Sequence, residues 1–515
     1  MKAVNVNTLR EHHGKQTSKP WWVALDGVVY DVTEFVGKHP GGAQVLRDVC
    51  GKDGTLPFVA VHPRDLAAKM LGPKAVVGRL DPLGITPDDV APDPNQALKD
   101  KQAQLVVPPL EQMLNAFDFE AVARHTLTKE AWGYYSSGAD DEISLRENHA
   151  AFQRVWLKPR IMVNVKTIDT TWEILPGVSG RSALPLYITA TAMGKLAHPD
   201  GETAIVRAAH QANVVYMLPT LSSCTLDEML SARAGPGQVL FSQLYVNADR
   251  QRTAEYVAKL EREGVRALFV TVDAPQLGRR EKDMRNKFTS QKSDVQRDDS
   301  VRRDEGVTRA ISSFIDPSLN WDDLSWLMSL SKMPVFLKGV QCGEDAVLAF
   351  RRGCAGVVLS NHGGRQLDAS RSSIECLAEV MPALRAERGY SPDRFFVYID
   401  GGVRRGADVF KAIAMGARAV GIGRPVLYAL AGYGQAGIER LIRIYRDELE
   451  MAMRLMGTPA LKDASPAHVI TRDLASHSTP APRDFLAEST YEPLQTQMER
   501  VGGPARVHER VTSKM

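Results

Sequence analysis

The chain has 515 residues, 44% apolar and 24% charged, with a formal net charge of +3. That length holds two or three domains, and a near-neutral, mixed charge offers nothing for a nucleic acid or an anionic membrane surface to recognise. No apolar run approaches the roughly 18 residues of a membrane span, and five scattered cysteines without a Cys-x-x-Cys pair argue against a disulfide framework or a zinc site and for a reducing compartment.

The first residues, MKAVNVNTLREHHGK, carry neither the apolar core of a signal peptide nor a transit-peptide composition. Residues 21–25 and 28–30 are apolar around Asp26-Gly27, which reads as a hairpin. His39-Pro40-Gly41-Gly42 then breaks the chain and opens a helix expected over Ala43–Val49; a second, Thr55–Val61, ends at His62. Two histidines 23 residues apart, each at an element boundary among apolar residues, are placed to clasp a planar ligand from both faces. Imidazole suits iron, and a haem with both axial positions filled carries electrons rather than oxygen chemistry. Surface histidines beside turns give the same local pattern. The wider segment 20–80 resembles the cytochrome b5 family, through its double-Trp strand, Val29-Tyr30-Asp31-Val32-Thr33-Glu34-Phe35, Gly51-Lys52-Asp53 and Phe58. The resemblance implies a small α+β haem-binding domain over 1–80, with haem b held by His39 and His62.

Residues 81–109, with six prolines and clustered aspartates, read as a hinge linker. Eight short apolar, β-branched runs follow, at 184–190, 214–220, 239–245, 267–273, 334–339, 356–361, 395–402 and 419–423. Continuous runs suit parallel strands buried on both faces. Helical patterns lie between them, at 201–212, 255–263, 345–352, 374–385 and 407–415. Eight such units predict a (β/α)8 barrel, the TIM-barrel fold, over 110–460. The charged stretch 290–309 reads as a mobile loop, and 461–515 as a C-terminal arm.

Barrels of this kind place their chemistry at the C-terminal strand ends. There the sequence delivers Thr189-Ala190-Thr191-Ala192, then Gln243 and Tyr245, then Thr271, Asp273 and Arg280. Lys338 follows, then His362 with Arg365, then Asp400-Gly401-Gly402-Val403-Arg404, and finally Gly423-Arg424. A lone Gly-Gly usually means a bend. Two glycine turns with arginines after the last two strands point to a phosphorylated cofactor.

Segment 110–460 resembles the FMN-dependent α-hydroxy-acid dehydrogenase and oxidase family. The matching motifs are Tyr134-Tyr135-Ser136-Ser137-Gly138-Ala139-Asp140-Asp141-Glu142, Thr271-Val272-Asp273-Ala274-Pro275, Ser360 to Asp368, and Asp400 to Gly406. Together with the haem-type unit the arrangement resembles the flavocytochrome b2 family of fungal L-lactate dehydrogenases, which pass electrons to cytochrome c. The resemblance implies FMN and haem b as cofactors and an L-2-hydroxy acid, L-lactate foremost, as substrate. It also implies a one-electron acceptor such as cytochrome c, and a homotetramer. His362 is then the base, oriented by Asp273, taking either the Cα proton or the hydroxyl proton. Arg365, Tyr134 and Arg280 hold the carboxylate, and Tyr245 contacts the hydroxyl. Lys338, Gln243, Thr271, Ala190, Thr191 and Ala192 surround the flavin ring. Arg404, Gly423 and Arg424 hold the FMN phosphate, Asp400 contacts the ribityl chain, and Gly401 and Gly402 also bind the cofactor. Leu221 and Ala192 shape the substrate pocket. Pro219 departs from the family by standing where a serine meets the flavin. An oxidase releasing hydrogen peroxide and a silent haem- or flavin-binding module are the alternatives. The C-terminal Ser513-Lys514-Met515 is close to a peroxisomal address; the cytoplasm, or by analogy the mitochondrial intermembrane space, are the other expected locations.

Overall fold

The computed structural model describes residues 2–14, 19–39, 43–64, 66–92, 107–178, 180–235, 237–285 and 315–477. Residues 40–42, the loop expected at 290–309 and the end of the C-terminal arm lie outside these.

The first unit is a four-stranded sheet of order β1-β4-β3-β2, with β1 Ala3–Val4, β2 Trp22–Leu25, β3 Val28–Asp31 and β4 Val76–Leu80. Asp26 (φ 48°) and Gly27 (φ 75°) are both left-handed, as a two-residue turn between right-twisted strands requires. The helices Ala43–Val49, Thr55–Val61 and Leu66–Leu71 pack on one face of this sheet around Val23, Tyr30, Val32 and Leu46. The stretch expected as linker begins as part of this unit. Asp89 is buried and accepts from Arg10 Nε at 2.5 Å and Nη2 at 2.6 Å, while its backbone carbonyl accepts from Asp53 N at 2.7 Å. An acidic, proline-rich stretch looks solvated in sequence; here one aspartate has a distant arginine to anchor it.

The second unit is a closed barrel of eight parallel strands. These are β8 Leu186–Ile188, β9 Val215–Leu218, β10 Leu240–Leu244, β11 Leu268–Thr271, β12 Val335–Val340, β13 Gly356–Leu359, β14 Phe396–Asp400 and β15 Ala419–Ile422. The pairing Val420↔Leu186 closes the ring. Two small antiparallel ribbons lie outside it: β5 Trp156–Leu157 with β16 Val469–Ile470, and β6 Trp172–Glu173 with β7 Arg181–Ser182. Each barrel strand lies within its expected apolar run, save for one extra residue at the end of β12. The helix Arg250–Arg262 starts five residues before its expected pattern, in a polar turn, because Asp249 caps it, accepting from Gln251 N at 3.2 Å. The helix Arg424–Met456 is kinked at Gly434 and packs against Ala116–Thr126 and Gly201–Gln211.

Aromatic rings fill the N-terminal half of the barrel. Phe336 stacks on Phe269 at 4.5 Å between centroids and lies 5.1 Å from Tyr398, with Phe241 beyond Phe269 and Tyr187 beyond Tyr398. Because side chains alternate with period two, the residue two positions on from each plug residue also points inward, but at the open end. Phe269 leads to Thr271, Phe336 to Lys338, Tyr398 to Asp400 and Phe241 to Gln243. The plug is thus the floor of the site. Phe336→Ala is expected to cost about 3–5 kcal/mol of barrel stability, read from the barrel's transition in chemical denaturation, with Phe336→Leu well under half of that.

Candidate active site and haem pocket

A cavity with about 1070 Å³ of empty space opens at the C-terminal ends of the strands. Tyr134, Ala190, Thr191, Ala192, Leu221, Gln243, Tyr245, Thr271, Arg280, Lys338, His362 and Arg365 line it, as do Asp400, Gly401, Gly402, Arg404, Gly423 and Arg424. Asp273 stands behind the wall, bonded to His362.

The turn after β13 explains why a histidine and an arginine flank two glycines. His362, Gly363 and Gly364 are all left-handed, at φ 59°, 65° and 75°. A Cβ on Gly363 would sit 2.9 Å from Arg424 Nη1, and one on Gly364 2.5 Å from Leu145 N. Only glycine fits there without strain. His362 bears the left-handed conformation as a non-glycine residue, a cost of order 1–3 kcal/mol that the surroundings must offset. Ser360 does part of this, its Oγ accepting from His362 N at 3.0 Å.

His362 Nδ1 faces both Asp273 oxygens, at 3.0 and 3.3 Å. With Nδ1–H donated there, Nε2 is the basic nitrogen toward the cavity, 3.3 Å from Tyr245 Oη. Burial lowers the imidazole pKa below its ordinary value, against the opposing pull of Asp273. Burial opposes ionisation of Asp273, yet His362 and Lys338 hold its carboxyl below the usual range. Burial, with Asp273 nearby, raises the Tyr245 phenol, so it stays a neutral donor.

Across the cavity, Arg365 Nη1 donates to Tyr134 O at 2.7 Å, and its guanidinium lies 4.9 Å over the Tyr134 ring. Arg280 is buried beside it; desolvation and then the Arg365 charge push its pKa down to about 9. A buried guanidinium, Arg280, and a half-buried one, Arg365, near enough for the second charge to lower the first group's pKa, fit an anion between them. Lys338 Nζ lies 3.4 Å from both Asp400 Oδ2 and Ser360 Oγ, and Ser360 Oγ donates to Asp400 Oδ1 at 2.6 Å. Burial works against the Lys338 ammonium, but Asp400 and Asp273 raise its pKa. Gln243 bridges Thr220 N and Thr271 Oγ1, at 3.0 and 2.9 Å.

These residues fit FMN. Thr191 Oγ1 is buried with no hydrogen-bond partner among the described residues, and glycine turns and arginines sit together at one end. The structure gives Arg424 a further task. Its fork donates to Tyr135 O, Gly363 O and Ser137 O at 2.8–2.9 Å, pinning the turn at His362–Gly364 to the segment that carries Tyr134. Burial, then Arg365, lowers its pKa to about 10.

In the small unit, His39 and His62 face one another with ring centroids 6.2 Å apart. Two imidazoles each about 2 Å from one metal ion place their centroids roughly that far apart. Burial, then the neighbouring His39, lowers the His62 pKa to about 4, keeping its lone pair available to iron. The surrounding pocket, about 1340 Å³ including the solvent at its open mouth, is walled by apolar side chains such as Val23, Leu25, Val32, Phe35, Leu46 and Phe58, a lining that fits haem. Met193, Thr220, Leu221 and Ser222 of the barrel complete that wall, and Leu221 lines both cavities. Lys195 Nζ donates to Val59 O at 3.4 Å between the two units.

The sequence pattern of FMN-dependent dehydrogenases matches residues 123–471, and that of the cytochrome b5-like haem/steroid binding domain matches residues 5–81. The chain belongs to the FMN-dependent dehydrogenase family. This family member is 46% identical to an L-lactate dehydrogenase (cytochrome) of Wickerhamomyces anomalus over 93% of its own length and 82% of that protein's. A flavocytochrome b2 mutant solved with pyruvate bound matches at a TM-score of 0.68 and 44% identity, covering 78% of this chain and 97% of that one. A glycolate oxidase of Spinacia oleracea is 41% identical over 70% of this chain and 96% of its own.

Ser360 and Asn361 entered the sequence reading only as part of a motif, with no role of their own, and Asn148 and Leu277 escaped it. Ser360 was findable, since it stands two residues beyond buried Val358 on an inward face. Leu277 lies in a loop with no periodic signal. His62→Ala is expected to abolish the haem Soret band while FMN stays bound, which the visible spectrum of the purified variant reads directly.

Proposed function

We propose that this FMN-dependent dehydrogenase oxidises an L-2-hydroxy acid, L-lactate first among them, to the 2-oxo acid, and passes the electrons by way of haem b to a one-electron acceptor of the cytochrome c kind. One observation carries the reading: a cavity with a His–Asp base opposite paired guanidinium groups shares the wall residue Leu221 with a bis-histidine pocket. When bound, FMN supplies the two-electron acceptor and haem b the one-electron carrier.

The chain's own residues do the rest. Arg365, backed by Arg280, binds the substrate carboxylate, and Tyr134 under the Arg365 face keeps that fork in place. His362 Nε2 takes the proton released from the substrate, and Asp273 stabilises the imidazolium. The Tyr245 phenol donates toward the substrate oxygen. Lys338 brings a fixed positive charge to the wall where negative charge develops on reduction. Ala192, Leu221 and Leu277 bound the space for the substrate's side chain. The same reading includes association as a homotetramer, which the particle mass in solution tests.

Anaerobic addition of L-lactate is expected to bleach the flavin absorbance and sharpen the haem bands to the reduced form. Bleached flavin with oxidised haem, followed by peroxide when air returns, would instead make the protein an oxidase.

The pH dependence has a definite sign. The base must be neutral, and burial sets its pKa below the ordinary value of about 6.5. The acid limb of kcat/KM for the free enzyme is therefore expected below pH 6.5. Asp273→Asn removes the group that favours the protonated ring; it is expected to move that limb lower still and to cut kcat about 10²–10⁴-fold. A limb at or above pH 6.5 in the wild type would mean that Asp273 outweighs burial at His362.

A further inference from the structure

Asn148, in the middle of the helix Ile143–Gln153, and Asn361, one residue before the base, are both buried. Nδ2 of each donates to Oδ1 of the other at 2.8 Å. Backbone groups fix which way round the pair sits. Asn361 Oδ1 also accepts from Gly364 N at 3.0 Å, and its Nδ2 also donates to Arg371 O at 3.0 Å. Reversing the amide would set donor against donor and acceptor against acceptor at both places. The orientation of Asn148 follows from that of Asn361.

The same helix touches the other glycine turn. A Cβ on Gly402 would fall 1.8 Å from Asn148 O, and one on Gly401 3.4 Å from Asn148 Nδ2. His149 Nδ1 lies 3.1 Å from Gly402 O. At its N-terminal end, Asp368 accepts from Ile143 N and Ser144 N at 3.2 and 2.8 Å, which ties the helix to the chain just beyond Arg365. One helix is thus packed on the turn that carries the base and on the glycine turn assigned to the cofactor phosphate.

We propose that the Asn148–Asn361 amide pair is a positioning device that holds the catalytic turn at 361–365 and the glycine turn at 401–402 in one register, so that cofactor phosphate and substrate are placed together. Neither side chain lines the cavity; both act through the backbone they fix. The substrate half of the inference rests on the proposed function, and the cofactor half on the glycine turn alone.

The holoenzyme variant Asn148→Asp tests it. The change keeps the side-chain size but puts an acceptor against Asn361 Oδ1, leaving a buried group without its partner. The FMN dissociation constant, read from flavin fluorescence on dilution, is expected to rise about tenfold. The deuterium isotope effect on kcat with 2-deuterated L-lactate is expected to rise as well, because a misplaced base slows C–H cleavage relative to later steps. A rise in only one of the two, or neither moving while the melting temperature falls, overturns the proposal. If Asn148→Asp does not accumulate as folded holoenzyme, Asn148→Ser is read by the same two quantities. A wild type that binds FMN but leaves L-lactate untouched would sink the functional reading alone. The FMN constant needs no substrate and still decides the pair: unchanged in the variant, it overturns the inference.

Discussion

The closed barrel imposes one constraint on which everything else depends: along each strand, alternate side chains face the axis. The axis is plugged at one end by Phe241, Phe269, Phe336 and Tyr398, all fully buried. The next inward residue on those strands is Gln243, Thr271, Lys338 or Asp400. A polar residue here has no solvent beneath it and neighbouring strands on both sides. It must therefore pair within the ring or face what occupies the cavity. Gln243 with Thr271, and Lys338 with Asp400 and Ser360, do the former while leaving capacity for the latter.

The charges in this ring do not balance by themselves. Arg280, Arg365, Arg404, Arg424 and Lys338 line the cavity, against Asp400 in the wall and Asp273 behind it. The lowered pKa values of Arg280 and Arg424, caused by burial and by Arg365, express this excess. A phosphate brings about two negative charges near neutral pH, and a hydroxy acid brings one carboxylate. Glu120, 3.8 Å from Arg404 Nε, offsets one of these cations, and both ligands bring negative charge to the surplus that remains, which ties cofactor and substrate occupancy to the same electrostatic field.

Much of this was legible in the sequence. The eight strands stood out because a parallel barrel strand is apolar on both faces, and the barrel closes with those eight and no others. The histidines of the small unit, the His362–Arg365 turn and the glycine turns came from motif chemistry, and the structure gathers them into two cavities. What stayed hidden depends on distant partners. Asp89 looked like linker because Arg10 is 79 residues away. Asn148 sits in an amphipathic helix with nothing local to mark it, since its partner Asn361 is 213 residues on. Arg424 read as a phosphate ligand, but its three carbonyl partners lie in two other segments.

Leu221 shows how tightly the two halves constrain each other. It lines the barrel cavity together with Ala192 and Leu277, and it also walls the bis-histidine pocket. Shortening it to admit a larger hydroxy acid takes apolar surface from both cavities at once. In this chain one side chain belongs to the walls of both cavities, and Met193, Thr220 and Ser222 are its barrel neighbours in the wall of the bis-histidine pocket.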